Sequence, residues 1–239
     1  KNFRNVIKTF RKFILKLPTS GILVFNQDDK FIPRIENPKF DVAGYSLRQK
    51  ESAKLKKILK IPGQHNISNA LAVLAVARIL HIKDTITFKS LLEYKGSWRR
   101  FELKNAELRG SSRGKTRKIT IVSDYGHHPT EVLTTLTSVR ENYPKKKIWC
   151  IFQPHQYQRT YYLFKDFVKV FRKVPIDHII ITDIYDVAGR EEVKINKEVN
   201  SEKLVKKIAK KNITYMTLAD AETFVKETAD QLSLKGCVR

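Results

Sequence analysis

Two histidines and a tyrosine follow directly after a short run of β-branched residues in the middle of the chain. Residues 119–122 read Ile-Thr-Ile-Val and predict a buried strand, and Tyr125, His127 and His128 stand in the loop behind it. Pro129 then opens a stretch whose apolar residues recur at helical spacing. Open α/β sheets bind ligands at the carboxyl ends of their strands, and a helix N-terminus attracts anions. The sequence therefore predicts a substrate-binding loop, the alternative being a solvated turn in which the histidines only anchor the backbone.

A second cluster of polar side chains follows the next predicted strand, at 148–152. Its loop, Gln153–Thr160, carries His155 and Arg159. A guanidinium can hold a carboxylate through two parallel hydrogen bonds, and an imidazole titrates near neutral pH. If the two strands are neighbours, we expect His127, His155 and Arg159 to converge on one edge of a sheet. The alternative for Arg159 is a salt bridge at the start of the following helix.

Strands and helices alternate from residue 119 onward, which is typical of a doubly wound parallel sheet with right-handed crossovers. Strands are predicted at 119–122, 148–152, 178–183 and 214–218, and helices at 130–141, 161–172, 201–210 and 219–232.

The first hundred residues predict a different arrangement. An amphipathic helix is expected over Asn2–Leu17, ended by Pro18, and an alanine-rich helix over Ile67–Leu80. The apolar runs 21–26, 40–47 and 56–61 are interpreted as strands. A joint between two domains is predicted at 91–98, and a flexible turn between two strands at 110–114.

The net charge of +23 on 239 residues raises the question of a nucleic-acid partner, because clustered cations gain affinity by releasing counterions. The basic residues are spread along the whole chain, however, and lack the interleaved aromatic residues of a single-strand stacking surface. Nucleic-acid binding is therefore not expected as the main function. The charge would instead attract anionic small molecules.

The cysteine and hydropathy patterns favour the cytoplasm. The 2 cysteines, Cys150 and Cys237, exclude a disulfide framework and a cysteine-based metal site, and suit a reducing compartment. No apolar run approaches the roughly 20 residues that span a bilayer, and no signal peptide is visible. We expect a cytoplasmic protein with no membrane partner.

Five segments of the chain resemble, in the same order, motifs of the Mur ligase family of peptidoglycan synthesis. They are Asn26-Gln-Asp-Asp29, Gly63-Gln-His-Asn-Ile-Ser-Asn69, Arg99-Arg-Phe101, Asp124-Tyr-Gly-His-His-Pro-Thr-Glu131 and Phe152-Gln-Pro-His-Gln-Tyr-Gln-Arg-Thr160. The fourth and fifth together are highly specific. The resemblance covers almost the whole chain and thins after Gly189.

The resemblance implies a two-domain α/β fold. Residues 1–98 would be the later half of the central ATP-binding domain, and residues 99–239 the Rossmann-like, doubly wound C-terminal domain. The UDP-binding domain, the phosphate-binding loop and the magnesium ligands of the family would lie outside this chain. No G-x-x-x-x-G-K-[ST] run occurs in it.

The activity implied by the resemblance is ATP- and Mg²⁺-dependent amide formation. The motifs of this chain are most similar to those of the branch of the family that joins L-alanine to UDP-N-acetylmuramate through an acyl phosphate. Two alternatives stay open: the related ligase that recycles a tripeptide onto the same sugar nucleotide, and a basic nucleic-acid-binding module. The recycling ligases tend to carry Phe-Ala where this chain has Tyr125-Gly126. A 239-residue fragment is expected to be inactive on its own.

Eight residues match positions of the family's site. His65, Asn66 and Asn69 would lie around adenine, Arg100 and Asp124 would contact the ribose or phosphates of ATP, and Tyr125, His127 and Arg159 would face the amino acid and the sugar nucleotide. No metal ligand is expected among them. The competing interpretations are helix capping for Asn66, backbone hydrogen bonding for Asp124, and one more basic pair in a basic chain for Arg99-Arg100. Gln156 departs from the family, where many members carry arginine.

Overall fold

The computed structural model describes residues 3–30, 38–109, 116–187 and 193–224. The chain divides into two compact units, unit 1 over Lys1–Gly96 and unit 2 over Ser97–Arg239. The division lies within the segment 91–98 that the sequence marks as the joint. Among the described residues, no helix has both the length and the apolar character needed to cross a bilayer.

Unit 1 is built around a pair of parallel strands, whose register aligns Ile22 with Asp41. A small core of apolar side chains centres on Leu55 and Leu71, both almost fully buried. The elements of this unit are α1 (Phe3–Ile14), β1 (Ile22–Asn26), β2 (Asp41–Tyr45), α2 (Glu51–Ile58), α3 (Gln64–Ile79) and α4 (Asp84–Glu93).

The strand predicted at 56–61 is wrong, because α2 extends to Ile58 and occupies the first half of that segment. Leu55, Ile58 and Leu59 all pack in the unit 1 core, and their i, i+3, i+4 spacing belongs to a helix. A strand would have sent successive side chains to opposite faces. Lysine and leucine are also good helix formers. The helix α4, which the sequence analysis did not predict, buries Thr87 and Leu91 at i, i+4 spacing.

Unit 2 combines an antiparallel hairpin with a parallel sheet of three strands, so the predicted α/β class is confirmed. The parallel sheet has the order β5-β6-β7. Its elements are β3 (Glu102–Arg109), β4 (Thr116–Ser123), α5 (Pro129–Asn142), β5 (Trp149–Phe152), α6 (Tyr157–Tyr162), α7 (Phe164–Lys173), β6 (His178–Ile181), α8 (Val193–Asn196), α9 (Ser201–Ile208) and β7 (Ile213–Tyr215). A further helical stretch covers 218–224, and the rest of the helix predicted at 219–232 lies outside the described residues.

Strand β4 does not pair with β5 among the described residues, although the sequence analysis placed both in one parallel sheet. It pairs with β3 in an antiparallel register that aligns Glu102 with Ser123. The connection between β3 and β4 is short, and a short connection permits an antiparallel hairpin but not a parallel crossover. The turn predicted at 110–114 lies outside the described residues.

The core of unit 2 forms where α7 packs on the parallel sheet. Phe167 and Phe171 of α7 are almost fully buried against Ile179 and Ile181 of β6, and Leu204 of α9 joins them. The two phenylalanines lie one helical turn apart on the same face of α7, and the two isoleucines alternate along β6 and so point to the same face of the sheet. This rigid sheet fixes the loops at the carboxyl ends of its strands.

Arg140 at the end of α5 ties together the two loops of unit 2 that precede β5 and β6. Its guanidinium donates to the backbone oxygens of Pro175 (2.8 Å) and Lys146 (2.9 Å) and to a carboxylate oxygen of Asp177 (2.6 Å). Asp177 also accepts a hydrogen bond from the backbone N–H of Ile148 (2.8 Å), directly before β5. The starts of β5 and β6 are therefore held by one charged network.

We expect Arg140→Ala to lower the free energy of unfolding by about 1.5–3 kcal/mol, because its charge-assisted hydrogen bonds are lost together. Urea unfolding of the 239-residue chain measures this loss. Lys169→Ala is the matched control, since the Lys169 ammonium lies in an exposed pair 3.8 Å from Asp166 and its removal should change the stability little. Equal midpoints for the two variants would contradict the role of Arg140.

The same network predicts a dependence on pH. The Ile148 N–H and the Arg140 guanidinium hold the pKa of Asp177 below its usual value. A lowered carboxyl pKa stabilises the fold above the unfolded-state value of roughly 3.9, and the contribution is lost as the pH falls through the folded-state value. The difference in stability between the wild-type chain and Arg140→Ala should therefore narrow below about pH 4. If the difference in the free energy of unfolding between the two chains is constant from neutral to acidic pH, the Arg140–Asp177 pair does not account for it.

Candidate active site

The loop between β4 and α5 is fixed by a reciprocal set of hydrogen bonds at the helix start. The Glu131 carboxylate accepts from the backbone N–H groups of His127 (2.9 Å) and His128 (3.1 Å), and His128 Nδ1 accepts from Thr130 N–H (3.2 Å). Pro129 occupies the first helical position, as predicted. His128 therefore caps the helix, which leaves His127 as the histidine of this loop whose ring is available to the site.

Asp124 holds the turn that precedes His127. One carboxylate oxygen accepts from Gly126 N–H (2.7 Å) and the other from Phe101 N–H (2.9 Å), so the backbone-bonding interpretation describes its contacts. A carboxylate offers about four acceptor positions, so both oxygens keep capacity for a further donor. A ribose contact by Asp124 stays a prediction. A Cβ atom on Gly126 would lie 2.8 Å from the Asp124 oxygen, so a larger residue here would have to displace this carboxylate.

The two predicted loops meet in unit 2, although their strands do not pair. We call the group formed by Tyr125, His127, His155 and Arg159 the histidine cluster. The His127 and His155 ring centroids lie 5.9 Å apart, and that of Tyr125 lies 5.2 Å from the former and 5.9 Å from the latter. Arg159 Nη1 donates to the backbone oxygen of His155 (3.0 Å). The structure thus brings together the three residues that the sequence assigned to the substrates.

The hydrogen-bond partners assign a tautomer to each histidine of the cluster when its ring is neutral. His127 Nδ1 lies 3.0 Å from the backbone oxygen of Tyr125, which can only accept, so Nδ1 carries the proton and Nε2 the lone pair. His155 Nδ1 lies 3.4 Å from Arg159 Nη1, which can only donate, so the proton is on Nε2, 3.5 Å from the Tyr125 hydroxyl. His127 therefore offers a base, and His155 offers a donor.

The cluster is cationic. Burial lowers the pKa of His155, and the positive charges of Arg159, His127 and Arg99 lower it further. His155 is consequently neutral at neutral pH. The Arg99 guanidinium lies 4.7 Å from the centre of the Tyr125 ring. These arginines and the neutral imidazole of His155 suit an anionic ligand that needs both cations and hydrogen-bond donors.

Arg100, which the sequence assigned to ATP, is exposed and lies beside Glu131. Burial raises the pKa of Glu131, but the N–H groups of His127 and His128 and the charges of His127 and Arg100 outweigh it, so the net pKa is below the usual value. Glu131 is therefore ionised at neutral pH and balances part of the positive charge. The Arg99 guanidinium lies over the Tyr125 ring, but the sequence analysis assigned Arg99 no role because its only signal is membership of a basic pair.

Tyr185 is a site residue that the sequence analysis missed. Its ring stacks on His155, with centroids 5.0 Å apart and planes at 24°. Its backbone brackets the same loop: Tyr185 N–H donates to Pro154 (2.8 Å), and Gln156 N–H donates to Tyr185 (2.9 Å). Gln156 has a φ of 74°, in the left-handed region that is unfavourable for residues other than glycine. These hydrogen bonds therefore hold a strained turn in place. Tyr185 follows β6, a third parallel strand, and this position at the carboxyl end of a strand is the signal that could have identified it.

We expect Tyr185→Leu to raise the pKa of His155 toward its ordinary value, because removing the stacked ring exposes the imidazole to water. Nuclear magnetic resonance titration of the His155 ring in the 239-residue chain measures this. Tyr185→Phe keeps the stacked ring and should leave the titration unchanged. If the leucine and phenylalanine variants titrate alike, the ring does not determine the environment of His155.

The three predicted adenine contacts lie in unit 1, in the first two turns of α3. Gly63 precedes this helix with a φ of 106°, a conformation that glycine tolerates. The Asn66 side-chain amide donates to the backbone oxygen of Pro62 (2.7 Å), so part of its hydrogen-bonding capacity serves the helix start. His65 is half-buried and Asn69 is exposed. The other five predicted residues lie in unit 2. Contact of one nucleotide with the adenine residues of unit 1 and with Arg100 and Asp124 of unit 2 stays a prediction.

Comparison with known proteins gives a consistent result. The family described as "Mur ligase, glutamate ligase domain" matches residues 99–237. A UDP-N-acetylmuramate–L-alanine ligase of Clostridium acetobutylicum is 37% identical over 94% of this chain and 51% of its own length. One from Aquifex aeolicus is 35% identical over 77% of this chain and 43% of its own.

A solved structure extends the comparison to the fold. The crystal structure of MurF from Acinetobacter baumannii is similar with a TM-score of 0.59 at 14% identity, over 95% of this chain and 49% of that one. The chain spans about half the length of the curated relatives it matches.

Proposed function

Because the chain belongs to the Mur ligase family, we propose that it is part of an ATP-dependent ligase that joins L-alanine to UDP-N-acetylmuramate in the cytoplasm, for peptidoglycan synthesis. The observation that carries the proposal is the histidine cluster, in which a base, a donor and an arginine meet at the ends of β4 and β5. The names of the relatives supply the substrates.

The proposed reaction has two steps. The carboxylate of the sugar nucleotide attacks the γ-phosphorus of ATP, which forms an acyl phosphate and releases ADP. The neutral amine of L-alanine then attacks the acyl carbon, the C–O bond to phosphate breaks, and the amine loses one proton. Positioning and charge neutralisation account for most of the catalysis of phosphoryl transfer.

Arg159 and His127 receive the main roles at the amino acid. Arg159, anchored by the backbone of His155, can pair with the carboxylate of L-alanine. His127 Nε2 can accept the proton that the amine must lose, since Nδ1 is occupied by the Tyr125 oxygen. Tyr125 and the neutral His155 can donate hydrogen bonds to substrate oxygens.

ATP is proposed to contact His65, Asn66 and Asn69 at its base, and Arg100 and Asp124 at its sugar and phosphates. The carbonyl oxygen of the Asn66 side chain and the remaining acceptor capacity of Asp124 suit hydrogen bonds with adenine and ribose. Mg²⁺ would neutralise phosphate charge. Among the described residues, no three His, Cys, Asp or Glu side chains cluster to hold a metal, so no role is assigned to them in magnesium binding.

Gly126 separates this chain from the related recycling ligases. A Cβ at this position would displace the Asp124 carboxylate that fixes the loop. The related recycling ligases tend to carry alanine at this position, where this chain has glycine. The Tyr125-Gly126 pair is consistent with the alanine-adding branch.

Isotope transfer tests the proposed chemistry. We define the chimera as the Clostridium acetobutylicum relative in which this chain replaces the half that it matches. With oxygen-18 in the carboxylate of UDP-N-acetylmuramate, the phosphate released by the chimera should carry one labelled oxygen. Unlabelled phosphate formed together with the amide would exclude the acyl phosphate and overturn the mechanism.

A further inference from the structure

The amino ends of the parallel strands in unit 2 carry a group of exposed lysines. Some lie in the loop before β5, and the others lie near or beyond the ends of α7 and α9, which precede β6 and β7. We call this group the basic edge, and its members are Lys145, Lys146, Lys147, Lys173, Lys207 and Lys211. All of them are exposed, and none forms an ion pair with another residue that the structure describes.

Hydrogen bonds hold the loops of the basic edge against one another. The Arg140–Asp177 network described above joins the loop before β5 to the loop before β6. The Asn212 side-chain amide donates to the backbone oxygens of Ile176 (2.9 Å) and Asp177 (3.1 Å), and so joins the loop before β7 to the same segment. The lysines are therefore carried by one connected surface rather than by separate loops.

Other cations near this edge have a structural role. The Arg172 guanidinium donates to the backbone oxygens of Lys207 (2.8 Å) and Ile208 (3.1 Å). Lys210 Nζ donates to the backbone oxygen of Arg172 (3.1 Å). These bonds join the C-terminal ends of α7 and α9, where positive charge also offsets the helix dipole.

The stability of the fold does not account for the basic edge. The dipole effect falls off within the last turn of a helix, and Lys145–Lys147 lie beyond the end of α5 at Asn142. The Asp177 carboxylate is already paired with Arg140 at 2.6 Å, and Glu141 in the last turn of α5 supplies one negative charge. Like charges on one surface repel each other and oppose folding. Such a concentration of cations indicates an anionic partner.

The composition of the basic edge favours a surface of spread negative charge over a folded protein or a nucleic acid. Protein interfaces centre on aromatic residues and arginine and are depleted in lysine. Base readout uses arginine, asparagine or glutamine, and single strands are held by exposed aromatic rings. The rings beside this edge, Trp149 and His178, are half-buried and stack on each other with centroids 4.2 Å apart. A lysine ammonium is a mobile point charge, which suits attraction without fixed geometry.

The arrangement of the charges also fits a plane. Strand β6 lies between β5 and β7, so the starts of the two outer strands are about 10 Å apart along the sheet. Lys173 and Lys207 lie near the ends of α7 and α9, which form a layer packed on that sheet. The basic edge thus extends in two directions, and a flat array of headgroups can meet all of its charges together. A single row of phosphates would meet fewer of them.

We propose that the basic edge binds the headgroups of anionic lipids at a membrane surface, without insertion into the bilayer. The sequence analysis expected no membrane partner because no apolar run could span a bilayer, but attraction between surface charges needs no such run. The histidine cluster lies at the opposite, carboxyl ends of the strands, so a chain bound in this way keeps the cluster directed away from the membrane. The proposal goes beyond the ligase reaction and does not depend on it.

Vesicle flotation of the 239-residue chain, without any substrate, tests the proposal. We expect binding to vesicles of equal parts phosphatidylglycerol and phosphatidylcholine at low salt, and a loss of affinity as salt is added. Each lysine near an anionic surface contributes about fivefold to the partition coefficient. The triple variant Lys145→Glu, Lys147→Glu, Lys207→Glu should therefore lower it by at least about tenfold.

The matched control is the triple variant Lys165→Glu, Lys197→Glu, Lys203→Glu. It changes the net charge equally at exposed positions near the starts of α7 and α9, and it should lower the partition coefficient by less than about threefold. Urea unfolding shows whether both variants are folded. If the first is not, glutamine replaces glutamate at all six positions, and the same order of affinities is expected.

Several results would overturn the proposal. One is no binding to the anionic vesicles, or equal binding to vesicles of phosphatidylcholine alone. Another is an equal loss for the two triple variants, which would show an effect of net charge only. A third is binding that Phe13→Ser abolishes and the basic-edge variant leaves intact, which would place the contact on α1. The last is tighter binding of duplex DNA than of vesicles through the same lysines, which would make a nucleic acid the partner.

Discussion

Arg159→Ala in the chimera is expected to raise the KM for L-alanine or for the sugar nucleotide by roughly ten- to a hundredfold, while the KM for ATP stays nearly unchanged. The loss corresponds to one charge-assisted hydrogen bond, about 1.5–3 kcal/mol. Arg159 is anchored by the His155 backbone, so its guanidinium reaches the histidine cluster in a fixed position. Steady-state kinetics with each substrate varied in turn measures the effect.

Two variants control this experiment. Arg159→Lys keeps the charge but loses the planar fork, and should recover only part of the affinity. Lys165→Ala removes a cation from the exposed side of α7 and should leave all three KM values unchanged. If Arg159→Ala and Lys165→Ala have the same kinetics, Arg159 does not contact substrate.

The 239-residue chain alone is expected to show no ligation. Its sequence has no phosphate-binding G-x-x-x-x-G-K-[ST] run, so the β- and γ-phosphates lack a backbone cradle. The predicted adenine contacts and the predicted ribose and phosphate contacts lie in different units, and ordering the two around one nucleotide costs entropy. Calorimetry should therefore find millimolar or absent ATP binding, and phosphate release should stay at background.

The control for this result is the chimera at the same concentration, assayed with the same substrates. An inactive chain beside an active chimera supports the assignment of the missing parts to the other half. Clear turnover by the purified chain would show that a second phosphate site exists in these residues.

The sequence was sufficient to predict the loops of the site, because their signals are local. A β-branched run followed by Tyr125, His127 and Pro129 specifies a strand, a loop and a helix start within a dozen residues. The run ending at Phe152 does the same for His155. Both histidines lie in the cluster that was expected.

Pairing between distant segments was harder to predict. The side-chain pattern of β4 is the same whichever strand lies beside it, and the antiparallel pairing with β3 depends on a connection whose composition suggests only a turn. Tyr185 was missed because its role arises from a stack on His155, thirty residues earlier. The strand predicted at 56–61 failed because a short apolar run fits a strand and a helix equally until its burial is known.

For Asp124, the match to a family motif and the contacts in the structure point to different roles. Its family position implies a ribose contact, while its contacts in the structure are the backbone N–H groups of Phe101 and Gly126. Both roles are compatible with a carboxylate, and only a nucleotide complex separates them.

The most direct test of the account is phosphate release by the chimera with ATP and UDP-N-acetylmuramate, in the presence of L-alanine, of a tripeptide, or of neither. We predict sustained release only with L-alanine, and its abolition when ATP or the sugar nucleotide is withheld. Release that depends on the tripeptide and not on L-alanine, by a folded chimera that binds ATP, would contradict the assignment of the histidine cluster to L-alanine.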